Sequence, residues 1–121
     1  MFMPEARTPI WLCTTPTDMR KSFTGLSAQV KRLLGENPTS GELFVFVNRR
    51  GTQMKVLYFD RTGYCIWSKR LEQGQFNVRD EGQTKRLLNW TQLQLLLEGI
   101  EIKTYRQFKR YRSPTQPCAR V

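Results

Sequence analysis

The sequence predicts an α+β fold: an antiparallel β-meander sheet packed by an N-terminal amphipathic helix, with a second C-terminal helix. Three observations predict it. Between Gly41 and Arg70, three apolar, β-branched and aromatic runs are cut by two turns of the same chemistry, Asn48-Arg49-Arg50-Gly51 and Asp60-Arg61-Thr62-Gly63. Ahead of them, Met19, Phe23, Leu26, Val30, Leu33 and Leu34 recur at helical spacing. Behind them, Leu87 to Glu98 is dense in leucine over a helix-length window.

Pro9 to Cys13 suits a first strand, broken by Thr14-Thr15-Pro16-Thr17. Thr17 is the expected N-cap of the first helix, with Asp18 in its first turn. About four turns later Gly35 ends that helix as a left-handed residue, and Asn37-Pro38 prevents continuation. In each turn of the meander, Asn or Asp at the first position can bond its own backbone two residues on. Gly at the fourth accommodates a positive φ. Leu71 to Val78 is a weaker strand, interrupted by Gly74, and Asp80 to Lys85 reads as a loop. Gly99 is the expected stop of the second helix. Residues 1–101 therefore form a single α+β domain. From Ile102 to Val121 there is no acid at all, and residues 102–121 read as a basic, flexible tail.

The chain has 121 residues, enough to bury roughly two-thirds of its unfolded surface around one core. Lys and Arg number 20 against 10 Asp and Glu, a net charge of +10, and the pI is near 10.1. Such a surface attracts nucleic acid or an anionic membrane, the alternative being a basic surface kept for solubility. No run reaches the roughly 18 apolar residues of a membrane span. Met1 to Arg7 lacks the apolar stretch of a signal peptide, so a cytoplasmic location is expected. Cys13, Cys65 and Cys118 match no disulfide framework or zinc spacing.

Arg20 and Lys21 fall in the expected first turn of helix one, where cations oppose the helix dipole. Two readings stand: a phosphate socket of cations and free backbone N–H groups, or local neutralisation by Asp18 and other acids.

Pro16-Thr17-Asp18-Met19-Arg20-Lys21, followed by Phe23, Gly25 and Leu26, resembles the N-terminal signature of TnpB, the second reading-frame product of bacterial insertion-sequence sixty-six elements. Phe44 to Gly51, then Lys55, Leu57, Asp60, Gly63, Trp67, Lys69-Arg70-Leu71 and Gly74-Gln75-Phe76, resembles the centre of that family. Leu96-Leu97-Glu98-Gly99-Ile100 resembles its C-terminal motif. Ser22 stands where many members have glycine, and Gln75 where a basic residue is common. The resemblance implies an accessory role in moving a mobile element, beside a separate transposase that carries the catalytic acids. The larger RNA-guided nuclease that shares the name TnpB is unrelated.

The residues themselves argue against catalysis. There is no histidine, hence no usual general base and none of the commonest neutral metal ligand. A phosphate-binding Gly-x-x-x-x-Gly-Lys-Ser/Thr loop is missing as well. Glu101-Ile102-Lys103 has the Glu-x-Lys spacing of some nucleases, with Asp60 as a candidate upstream acid, but such a triplet is a frequent accident. No catalytic residue, metal or cofactor is expected.

The expected function is a non-catalytic accessory protein for transposition that binds DNA through backbone phosphates. The candidate contacts are Arg20, Lys21, Arg49, Arg50, Lys55, Arg61, Lys69, Arg70, Lys103, Arg106, Lys109, Arg110 and Arg112. In the tail, Tyr105, Phe108 and Tyr111 interleave with the cations, a pattern that can stack on bases while pairing with phosphates. The rival reading is an adaptor that binds or regulates the transposase without touching DNA. It is motivated by the meander's aromatics, which occupy both faces of the sheet. The face away from the first helix needs cover from another element, a second copy of the chain in a homo-oligomer, or the transposase.

Overall fold

Residues 7–78 and 82–98 are described by a computed structural model. The elements run β1 (Ile10–Cys13), α1 (Phe23–Gln29) with a π-helical last turn (Val30–Leu34), β2 (Leu43–Val47), β3 (Gln53–Asp60), β4 (Gly63–Arg70), β5 (Lys85–Leu88) and α2 (Trp90–Leu97). The strands form one sheet in the order β4-β3-β2-β1-β5. The α+β class holds, but the sheet is mixed and not a purely antiparallel meander. β2, β3 and β4 pair antiparallel in succession, while β1 runs parallel to β2, Trp11 beside Phe44, and antiparallel to β5. The parallel pair arises because α1 carries the chain back across the sheet between β1 and β2.

Three local expectations are corrected. First, helix one does not begin at Thr17. The Thr17 amide donates to the Val47 carbonyl of β2 at 2.9 Å, and Asp18 closes a turn by accepting from the Arg20 amide at 2.9 Å. Those bonds hold Thr17–Lys21 outside the helix, which starts at Phe23 after Ser22. Gly35 does end the helix, at φ +66°. Second, Leu71–Val78 is no strand, and the fifth strand is Lys85–Leu88, whose end had been assigned to helix two. Trp11 and Leu12 of β1 offer an open edge to Leu87 and Arg86, a long-range pairing that overrides local leucine density. Third, Gly63 does not take the positive φ of the second turn. Arg61 does, at +40°, because β3 and β4 continue to the Asp60–Gly63 pair and leave a two-residue hairpin. Gly99 and the tail from Ile102 lie outside the described residues.

Alternation along the strands sends side chains to two cores. Cys13, Phe44, Phe46 and Leu57 pack with Leu26, Val30 and Leu34 of the first helix. Ile10, Leu12, Val45, Val47, Met54 and Val56 pack with Leu93, Leu96 and Leu97 of α2 and with Phe76. β2 is buried along its whole length, which explains the unbroken apolar sequence Leu-Phe-Val-Phe-Val. The second face of the sheet is thus packed by α2 and the Leu71–Val78 segment of the same chain. Phe23, expected in the apolar stripe, is 46 % exposed.

Candidate nucleic-acid interface

Because β1 and β2 are parallel neighbours, their carboxyl ends emerge at one end of the sheet. The Asn48–Gly51 turn follows β2 there, and Arg70, the last residue of β4, pairs with Gln53 beside it. Arg61 lies at the opposite end. The eight residues of β3 separate the two arginine-bearing turns by about 24 Å. The two turns therefore cannot form one patch.

The first turn is tightly held. Asn48 Oδ1 accepts from the amides of Thr52 at 2.9 Å and Gln53 at 3.1 Å, and the Gly51 amide donates to the Asn48 carbonyl at 3.0 Å. From the Leu71–Val78 segment, the Phe76 amide donates to the Gly51 carbonyl at 2.6 Å, and Gln75 Nε2 donates to the Arg50 carbonyl at 2.9 Å. None of these bonds uses the side chain of Arg49 or Arg50, and both remain exposed. Neither makes an ion pair among the described residues.

The other candidates divide by what they touch. Arg20 is paired with Asp18, Nη2 to Oδ2 at 2.7 Å, with both side chains exposed, and Arg20 and Lys21 precede the helix instead of standing in its first turn. Those hydrogen bonds lower the Asp18 carboxyl to about 2. Lys21 Nζ donates to the neutral Gln29 Oε1 at 3.0 Å and makes no ion pair among the described residues, although its charge helps to lower the Asp18 carboxyl. Lys55 Nζ donates to the Lys21 carbonyl at 2.9 Å, and Lys69 Nζ to the Leu97 carbonyl at 3.3 Å, so both tie elements together. Arg70 faces Glu72 at 3.8 Å, with both side chains exposed. Arg61 is exposed at the far end. Lys103, Arg106, Lys109, Arg110 and Arg112 lie outside the described residues.

A cleft of about 280 Å³ opens at the carboxyl ends of β1 and β2, between the Thr14–Pro16 loop, the Asn48–Gly51 turn and Gln75–Val78. Thr15 and Pro16 also border a shallower depression on α1 that carries Lys21 and Arg32. Exposed cations thus run from Arg49 and Arg50, across the loop, to Lys21 and Arg32. Arg32 was missed in the sequence. The signal was present, since Lys21, Gly25, Ala28 and Arg32 recur at helical spacing on the face opposite the apolar stripe. Thr14, Thr15 and Asn77 were missed for a different reason: only the fold brings them together.

Among the described residues no three His, Cys, Asp or Glu side chains converge to hold a metal, and no helix is long and apolar enough to cross a membrane. Cys13 is buried and Cys65 half-buried, both as free thiols.

These features define a small basic α+β domain with a cation-lined surface at one end of its sheet. The chain belongs to the IS66 Orf2-like protein family, TnpB_IS66, which matches residues 8–107. It is 38 % identical over 92 residues to the uncharacterized protein y4hO of Sinorhizobium fredii (strain NBRC 101917 / NGR234), covering 76 % of this chain and 80 % of that protein. It is 34 % identical over 76 residues to the uncharacterized protein y4jC of the same strain, covering 63 % and 65 %. No solved structure matches it. Membership ties the chain to the accessory machinery of insertion-sequence transposition.

Proposed function

We propose that this protein is a non-catalytic accessory factor of transposition that grips DNA through backbone phosphates and works beside the transposase of its element in the cytoplasm. One observation carries the reading: Arg49, Arg50, Lys21 and Arg32 form a run of exposed cations that make no ion pair among the described residues, two of them on a turn held by Asn48 and the Gln75–Phe76 segment. Such an arrangement neutralises phosphates without reading bases. The basic tail from Lys103 to Arg112 would add further phosphate contacts.

The test is retention of element-end duplex by the purified protein across a salt series, alone and with transposase. Affinity should fall with a log–log slope of about −0.9 per phosphate contacted. Incubation with magnesium or manganese should leave the DNA uncut. A flat salt response together with co-purification with transposase would replace this reading with the adaptor. Metal-dependent nicking that vanishes in Asp60→Ala or Glu101→Ala would overturn the non-catalytic part.

A further inference from the structure

We propose that the cleft at the carboxyl ends of β1 and β2 binds one unpaired nucleotide, with its phosphate on the Arg49–Arg50 rim and its base inside. The proposal rests on the reading that this surface meets DNA, and adds what it recognises there. Position is the first argument. Where parallel strands in an open α/β sheet part company, ligands bind in the crevice outside their carboxyl ends, and the divergence after β1 and β2 makes such a crevice. β1 and β2 are the one parallel pair among the described strands. After β1 the chain leaves towards α1 on one face, and after β2 it turns back along the sheet into β3.

Size and chemistry agree. At about 280 Å³ the cleft lies just below the range of drug-sized ligand sites, roughly 300 to 1,000 Å³, so it has room for one nucleoside-sized group and no stacked pair. Its accessible lining is mainly polar, with Pro16 at its mouth, Val47 and Phe76 buried beneath it, and the Thr15 side chain on its wall. The Thr15 hydroxyl makes no hydrogen bond among the described residues, which leaves it open to a base edge. A base within a duplex cannot enter, so the nucleotide must come from an end, a gap or a single strand. The turn that bears the two arginines is already fixed by Asn48 and Phe76, so little ordering is needed on binding.

The experiment titrates the isotope-labelled full-length protein with thymidine monophosphate, thymidine and inorganic phosphate, following backbone amides by NMR. Thymidine monophosphate should shift Thr14, Thr15, Arg50, Gly51 and Phe76, with weaker effects from thymidine or phosphate alone. In parallel, a duplex with a one-nucleotide overhang should bind about tenfold more tightly than the blunt duplex. That preference should disappear in Thr15→Phe, which fills the cleft, while blunt-duplex binding persists. Absence of amide shifts at about 10 mM nucleotide, or equal affinity for both duplexes, with salt-sensitive retention intact, overturns the cleft and leaves the DNA-binding reading standing. Equal shifts from inorganic phosphate overturn it in favour of a plain anion site. Nucleotide shifts without any duplex retention would instead support the cleft and overturn the grip on duplex DNA.

Discussion

Asp18 and Arg20 show how one pair of side chains changes a functional expectation. Arg20 bonds both carboxylate oxygens, with Nε at 3.1 Å from each and Nη2 at 2.7 Å from Oδ2. Those bonds, with the Arg20 amide, lower the Asp18 carboxyl from 3.8 to about 2. The folded value lies below the unfolded one. The pair's contribution is therefore present above the unfolded value of 3.8 and is lost as pH falls through about 2. Arg20→Gln should raise the Asp18 value towards 3.8, read by side-chain carbon NMR, and should leave the salt slope of DNA binding unchanged because that charge is already compensated. Gly51 and Gly35 form a second comparison. Both have φ near +70°, but a Cβ on Gly51 would stand 2.9 Å from the Phe76 carbonyl oxygen, whereas one on Gly35 meets nothing within 4 Å. Gly35→Ala should cost about 1 kcal/mol from backbone conformation alone. Gly51→Ala should cost about 2–3 kcal/mol in urea unfolding, because the Gln75–Phe76 segment must also move. Equal costs would mean that the Phe76 contact is loose.

At the scale of elements, α2 is short, and its placement depends on its first turn and its buried face. Asn89 accepts from the Gln92 amide at 2.8 Å, and Gln92 Oε1 accepts from the Asn89 amide at 2.9 Å, a reciprocal cap. Leu93 and Leu96 are fully buried against the sheet. Asn89→Ala should destabilise the protein by about 1 kcal/mol. A loss below about 0.3 kcal/mol would mean that packing alone positions the helix. The β3–β4 hairpin shows the reverse case, in which a local preference is overridden. Arg61 takes a left-handed φ that L-residues disfavour by roughly 1–2 kcal/mol. Arg61→Asn should raise stability by about 0.5 kcal/mol, since Asn adopts that conformation more readily. A loss instead would show that the Arg61 side chain makes a contact that supports the turn.

For the whole molecule, the consequence is polarity: one end of the sheet carries free cations around a cleft, and the second arginine turn is a strand-length away. Replacing both Arg49 and Arg50 with serine removes two exposed side chains whose turn is held by other atoms. Stability should change by less than about 0.5 kcal/mol per site. DNA binding should weaken similarly for all sequences, with the salt slope reduced by about one to two units. Arg61→Ser should have a smaller effect than either single substitution in the first turn. Equal losses at both turns would mean that DNA wraps the whole domain instead of meeting one end.

The local features legible in the sequence were those decided by neighbouring residues. The Asn48–Gly51 turn, the Gly35 stop, the first strand and the pairing of the three central runs depend on backbone preferences and alternation over a few residues, and they stand in the structure. The exposure of Arg49 and Arg50 was legible for the same reason, because a type I turn presents its two central side chains to solvent. What the sequence could not show depends on partners far along the chain. Thr17 caps no helix because its amide belongs to Val47, thirty residues on. Lys85–Leu88 is a strand because β1 had an edge to fill. Leu71–Val78 is irregular but well bonded to the first turn, and with the Thr14–Pro16 loop it makes the cleft. Local propensity is worth tenths of a kcal/mol per residue, while burial of one leucine is worth about 1.5–3 kcal/mol. Where the two compete, tertiary packing prevails, and the cleft exists only because it did.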